Sequence, residues 1–150
     1  MADALRAEHA AVYAYGVVAA FVLAPRKDGV AAATAAHEVR RDAVNRALVA
    51  AGAIAPVSEP GYLMPLAVTD PVTATQLAVI VETDTAVAWR SVLERSDPST
   101  EGVPAGSFDV RATAVAGLSD CAVRATGWRV ALGTVPATTA FPGMPTPTGG

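Results

Sequence analysis

Between Ala53 and Asp70 the chain runs for 18 residues without helical periodicity, carrying Pro56, Pro60, Gly61 and Pro65. Long patterned runs flank it on both sides, and this asymmetry restricts the fold more than any other feature. An extended stretch of that length reaches about 60 Å, beyond the roughly 33–39 Å of a helix of about 22–26 residues. The connection is therefore long enough to travel the whole length of a helical bundle. The other connections are short or punctuated, so the chain reads as two helical hairpins joined lengthwise.

The boundaries follow from local chemistry. A first helix is expected from Ala2 to Leu23, stopped by Pro25, which has no N–H to continue the ladder. "PRKDG" then turns the chain, with Asp28 expected to cap a second helix that ends at Gly52. Asp70 followed by Pro71 is a strong start signal for a third helix running to Arg95. After the loop "SDPSTEGVPAG", a fourth helix is expected from Ser107 to Gly133. "VIVETDTAVAW" is β-branched, but it lies inside the capped third run and reads as helix. The expected fold is all-α: a ferritin-like four-helix bundle with one long crossover between helices two and three. Residues 1–133 form that bundle, and 134–150, rich in Pro, Thr and Gly, form an irregular C-terminal tail.

Composition excludes several classes of function. The net charge is −3 with no basic run, which argues against nucleic acid as a partner. The 52% hydrophobic fraction comes largely from Ala and Val. The most apolar stretch, Ala10 to Ala24, falls short of the ~20 residues that a membrane span needs. As a signal peptide it is preceded by Asp3, Arg6 and Glu8 in place of a basic cluster. The single Cys121 permits no internal disulfide and fits a reducing cytoplasm, which is the expected location.

Bundle cores repeat about every 3.5 residues, and the apolar stripes carry a few charged residues. The first stripe, Leu5, Glu8, Val12, Tyr15, Ala19, Val22, is interrupted by Glu8; the third, Val72, Thr75, Val79, Glu82, Ala86, Trp89, Leu93, by Glu82. Each glutamate has an aromatic residue seven positions later. On the second helix the stripe reads Val30, Thr34, His37, Arg41, Val44, Leu48, Ala51, and on the fourth Asp120 and Arg124 edge an apolar stripe through Cys121 and Trp128. Matching the halves pairs Glu8 with Glu82, Tyr15 with Trp89, Arg41 with Arg124 and His37 with Asp120. His9 is expected on the surface, Cys121 in the core, and Arg40, Asp42 and Arg46 on a solvated face. Tyr13, Tyr15, Trp89 and Trp128 are expected to pack.

A buried carboxylate needs a partner, either a metal ion or a guanidinium. A dinuclear carboxylate site asks for one Glu on each of two helices and Glu-x-x-His on the other two. Glu8 and Glu82 satisfy the first half. The second half fails, because Glu38 is followed three residues on by Arg41 and Asp120 by Val123. Arginine stays protonated and donates no lone pair to a metal. The expected polar core is therefore a network of Glu8, His37, Arg41, Glu82, Asp120 and Arg124, with no cofactor. The alternative is an unusual iron or manganese site built from Glu8, His37, Glu82 and Asp120.

"AEHAAVYAYG" (Ala7 to Gly16), "AHEVRRD" (Ala36 to Asp42) and "GYLMPLAVTDPVTATQLAVIVE" (Gly61 to Glu82) resemble an alanine-rich ferritin-like family of actinobacteria; "GWR" (Gly127 to Arg129) and "AFPGMP" (Ala140 to Pro145) fit the same pattern. That resemblance implies a ferritin-like bundle with Glu8, Arg41, Glu82 and Arg124 as polar core positions. It implies no activity, since the family has no assigned function. The departure from the metal-binding pattern at both His positions argues against carrying over iron storage or oxidase chemistry. The expected role is non-catalytic, through protein contacts as a homodimer, with the "GYLMPL" crossover as a contact surface. The rival is an atypical metal-binding protein or metal-dependent oxidase. A small-molecule site between Tyr15 and Trp89 has only those two aromatics in its favour.

Overall fold

The computed structural model describes residues 1–96 and 107–144. Four helices carry the fold: α1 (Ala2–Phe21), α2 (Lys27–Ala50), α3 (Pro71–Arg95) and α4 (Val110–Ala131). No strand occurs among the described residues. Pro25 ends the first run as expected, but α1 already stops at Phe21 and the proline lies in a single 3-10 turn, Ala24–Arg26. Asp28 is not the cap of α2. The helix begins two residues earlier than that cap would set, with Arg26 as N-cap, and Asp28 sits in its first turn, where a carboxylate favours the positive end of the helix dipole.

Asp70 caps α3 as read from the sequence. Its carboxylate accepts from the Val72 and Thr73 amides at 2.8 Å, and the Thr73 hydroxyl accepts from the Asp70 amide at 3.1 Å. α4 starts three residues later than expected, because Asp109 supplies its cap by accepting from the Ala112 amide at 2.9 Å. The loop expected at Ser96 to Gly106 lies, after Ser96, outside the described residues. α2 and α4 end alike. Gly52 and Gly133 take φ of 70° and 72°. The amides that follow, Ala53 and Thr134, reach back to the Leu48 and Arg129 carbonyls at 2.9 and 3.0 Å.

The core divides into two apolar clusters. One holds Ala11, Tyr15, Val18, Val30, Ala33, Leu77, Ala78 and Trp128, and the other Ala4, Leu5, Val44, Ala86, Trp89, Val92, Ala114 and Cys121. α1 and α4 run from the second cluster to the first, whereas α2 and α3 run from the first to the second. Each hairpin is therefore antiparallel, and α2 and α3 are parallel. The chain must travel back along the bundle between them, as the length of the connection requires. Residues 51–70 do so over α1: His9 Nε2 lies 3.2 Å from the Pro56 carbonyl, and the Tyr13 and Tyr62 rings stand 5.3 Å apart. Met64, Leu66 and Val68 then pack on the first cluster. His9 is thus a crossover contact, not a free surface residue.

After α4 the chain stays irregular through Met144, but it folds back on the bundle. Arg90 Nη1 donates to the Pro142 carbonyl at 3.5 Å. Gly143, at φ 76°, packs so closely that a Cβ there would lie 2.7 Å from the Ala86 carbonyl oxygen. Residues 145–150, the end of the expected tail, lie outside the described residues.

Candidate functional site

A polar layer separates the two apolar clusters. α1 contributes Glu8, α2 His37 and Arg40, and α3 Glu82, and all four are buried, the two glutamates and the histidine completely. Glu8 is saturated. Its Oε1 accepts from Arg40 Nε at 2.9 Å and from Trp89 Nε1 at 2.6 Å, and its Oε2 lies 2.7 Å from His37 Nδ1. Glu82 Oε1 accepts from the Tyr15 hydroxyl at 2.6 Å and lies 3.3 Å from His37 Nε2. Trp128 Nε1 donates in turn to Tyr15 Oη at 2.9 Å. The aromatic seven residues after each glutamate serves the other glutamate, because α1 and α3 are antiparallel.

His37 has a carboxylate at each ring nitrogen, so both nitrogens must donate and the ring is an imidazolium. Burial opposes that charge, but the two glutamates outweigh it and hold the His37 pKa above its ordinary 6.5. Burial likewise pushes Glu8 up, yet His37, Arg40 and Trp89 together hold it below the usual carboxylate range. Burial and the Glu82 charge push the Cys121 thiol well above its ordinary value, which makes it an inert neutral group. At the rim, Asp120 accepts from Arg40 Nη1 at 2.9 Å and from Arg124 Nη2 at 3.3 Å. Arg124 Nη1 approaches Glu82 Oε2 to 3.9 Å, and these two buried atoms carry no hydrogen bond among the described residues.

Five of the six residues expected in the polar core are brought together: Glu8, His37, Glu82, Asp120 and Arg124, with the Asp120 side chain 53% exposed. Arg41 is not among them. It points outward, pairs with Asp42 at 2.8 Å, and Glu38 is exposed beside it. Arg40, expected on the solvated face, takes the inward place. The buried positions of α2 are Val30, Ala33, His37, Arg40 and Val44, spaced 3, 4, 3, 4, whereas the expected stripe was spaced 4, 3, 4, 3. Both have a period of 3.5, so periodicity does not choose between Arg40 and Arg41. The other half of the chain does. Adding 84 to these numbers gives Ala114, Gly117, Cys121, Arg124 and Trp128, all but Arg124 buried on α4. Arg40 therefore answers Arg124, and His37 answers Cys121, correcting the pairings of Arg41 with Arg124 and of His37 with Asp120. Between Tyr15 and Trp89 runs this layer, through Glu82, His37 and Glu8.

The donor chemistry does not fit a dinuclear metal centre. Both oxygens of Glu8 and one of Glu82 already accept hydrogen bonds, and the inward i, i+3 pairs are His37 with Arg40 and Cys121 with Arg124. A guanidinium thus stands where each ligand histidine would be needed. Among the described residues no three His, Cys, Asp or Glu side chains are grouped so as to hold a metal ion.

The molecule is thus a four-helix bundle built around an internally neutralised ionic layer. The chain belongs to the DUF4439 family, a domain of unknown function, which it matches over residues 1–146. It is also similar to the crystal structure of a conserved hypothetical protein, rv2844, from Mycobacterium tuberculosis. The two are 39% identical, with a TM-score of 0.77 over 87% of this chain and 92% of that one. No curated protein matches it. Among the described residues no helix is long and apolar enough to cross a membrane.

Proposed function

We propose that this protein is a non-catalytic, ferritin-like bundle of the actinobacterial type, in which a buried Glu–His–Arg network stands where metal-binding members of that superfamily hold two ions. It acts in the cytoplasm through protein contacts, as a homodimer. The observation that carries this reading is Arg40: its guanidinium bonds Glu8 and Asp120 and lies 3.2 Å from His37 Nδ1. It supplies in the protein itself the positive charge that a metal would otherwise bring. The contact surface is the crossover. Met64, Leu66 and Val68 turn inward there, while Ile54, Val57 and Leu63 are fully or nearly fully exposed. A run of exposed apolar side chains along the crossover suits a second copy of the same chain.

Native mass spectrometry of protein purified without chelator from metal-supplemented medium tests both halves. The expected species at micromolar concentration has the mass of two chains and no stoichiometric iron, manganese or zinc. A monomer overturns the contact half. Near-stoichiometric metal that disappears in Glu8→Ala overturns the network half in favour of an atypical metal site.

A further inference from the structure

α3, α4 and the returning segment form a cleft of about 660 Å³. The helices line it with the small side chains of Ala86, Ala122 and Ala125, and the segment brings Phe141 and Met144. The segment is held in place by the close approach of Gly143 to Ala86 and by Arg90 on the Pro142 carbonyl. Phe141 and Met144 are nonetheless 69% and 51% exposed, so this wall has apolar surface left to cover. Small-molecule sites typically enclose about 300–1,000 Å³ of mostly apolar wall with a few placed polar groups, and this cleft has that character.

Two of the lining residues are charged, Glu82 and Arg129. The Glu82 side chain is fully buried in the ionic layer and is closed to a ligand. Arg129 is partly exposed, and its Nη2 donates at 3.1 Å to the hydroxyl of Thr83, which also lines the cleft. A guanidinium has five N–H groups, and this neutral hydroxyl takes one of them. Among the described residues no carboxylate is paired with Arg129. Nor does the end of α4 consume the cation. The Trp128, Arg129 and Val130 carbonyls accept from the Leu132, Thr134 and Gly133 amides, and the Ala131 carbonyl accepts from Arg26. The Thr83 and Thr126 hydroxyls give their own protons to the Val79 and Ala122 carbonyls. What the lining side chains offer a ligand is therefore a guanidinium with N–H groups to spare. An ammonium would meet a like charge there, and a neutral hydroxyl or amide would leave the charge unbalanced. A carboxylate accepts two parallel N–H bonds and neutralises it. We propose that the cleft binds a small apolar carboxylic acid as its anion, with the carboxylate on Arg129 beside Thr83 and the apolar body against Ala86, Phe141 and Met144. This does not depend on the oligomeric or metal-free reading above.

The test titrates the ¹⁵N-labelled full chain at neutral pH with 4-phenylbutanoate and, separately, with 4-phenylbutanamide, which has nearly the same shape but no charge. The expected result is saturable amide shifts around Ala86, Thr126 and Gly143 with the carboxylate at sub-millimolar concentration, and about tenfold weaker binding of the amide. Arg129→Gln should weaken the carboxylate about tenfold and leave the amide unchanged, whereas Arg129→Lys should keep part of the preference. Ala122→Trp fills the cleft and should abolish binding of both. No saturable shifts at millimolar carboxylate, equal affinity for carboxylate and amide, or an undiminished preference in Arg129→Gln each overturns the proposal. So do shifts gathered at the exposed crossover residues Ile54, Val57 and Leu63 in place of the cleft. If Ala122→Trp does not fold, the ligand pair and Arg129→Gln still decide.

Discussion

At the scale of single residues, Arg40 and Arg41 are chemically identical neighbours with opposite roles. Arg40 holds two carboxylates in a buried layer, whereas Arg41 pairs with Asp42 at the surface. Removing one partner of a buried ion pair costs about 3–5 kcal/mol, so Arg40→Met should lower the unfolding free energy by that order in urea titration. Arg41→Met should change it by no more than about 0.5 kcal/mol. Equal effects would mean that the layer does not depend on Arg40. The residue types of the layer were legible in the sequence, because charged side chains interrupting apolar stripes must be matched. Which of two adjacent arginines faced inward was not, because a 3.5-residue repeat fits both.

His37 and Glu8 also set a pH dependence. His37 is held above its ordinary 6.5 by Glu8 and Glu82 against the cost of burial, so its contribution is complete below 6.5 and is lost as pH rises through the raised value. Glu8 is held below its ordinary 4.5, so its contribution is present above 4.5 and is lost as pH falls through the lowered value. The melting temperature should therefore be highest between about pH 4.5 and 6.5 and decline on the alkaline side. In His37→Gln that alkaline decline should flatten. A wild-type melting temperature that climbs from pH 6 to 9 would contradict the imidazolium.

Among the elements, helix ends were read well where the signal is a side chain of fixed chemistry. Asp70-Pro71, Gly52 and Gly133 mark or adjoin real ends. Asp28 is ambiguous because a carboxylate is favourable both as a cap and within the first turn, and Asp109 carries no distinct cap signal behind a loop without pattern. Helix packing distances were not legible at all. Gly117 of α4 lies against the Trp89 ring, and a Cβ there would sit 2.8 Å from Trp89 Nε1 and Cε2. The ring is fully buried and tied to Glu8, so it has little room to retreat. Gly117→Ala should therefore cost about 1–3 kcal/mol by overpacking. Gly127→Ala, where an added Cβ meets nothing within 4 Å, should stabilise by up to about 1 kcal/mol through helix propensity. Calorimetric unfolding of the two variants checks this contrast, and equal shifts would show that α3 and α4 are not in this close register.

For the whole molecule, the length of the crossover set the topology before any contact was known, since only parallel second and third helices require it. The docking of the returning segment is not legible in the sequence, because Pro, Gly and Thr composition reports the lack of a helix, not the surface on which the chain comes to rest. The layer also divides by hairpin. On the first, Glu8 faces Arg40 and the protonated His37, leaving one positive charge; on the second, Glu82 and Asp120 face Arg124, leaving one negative charge. Each hairpin is thus the counter-ion of the other. Prising them apart would strand opposite charges on two apolar seams, so the bundle has no inexpensive half-open form, and its unfolding is bound into one cooperative step.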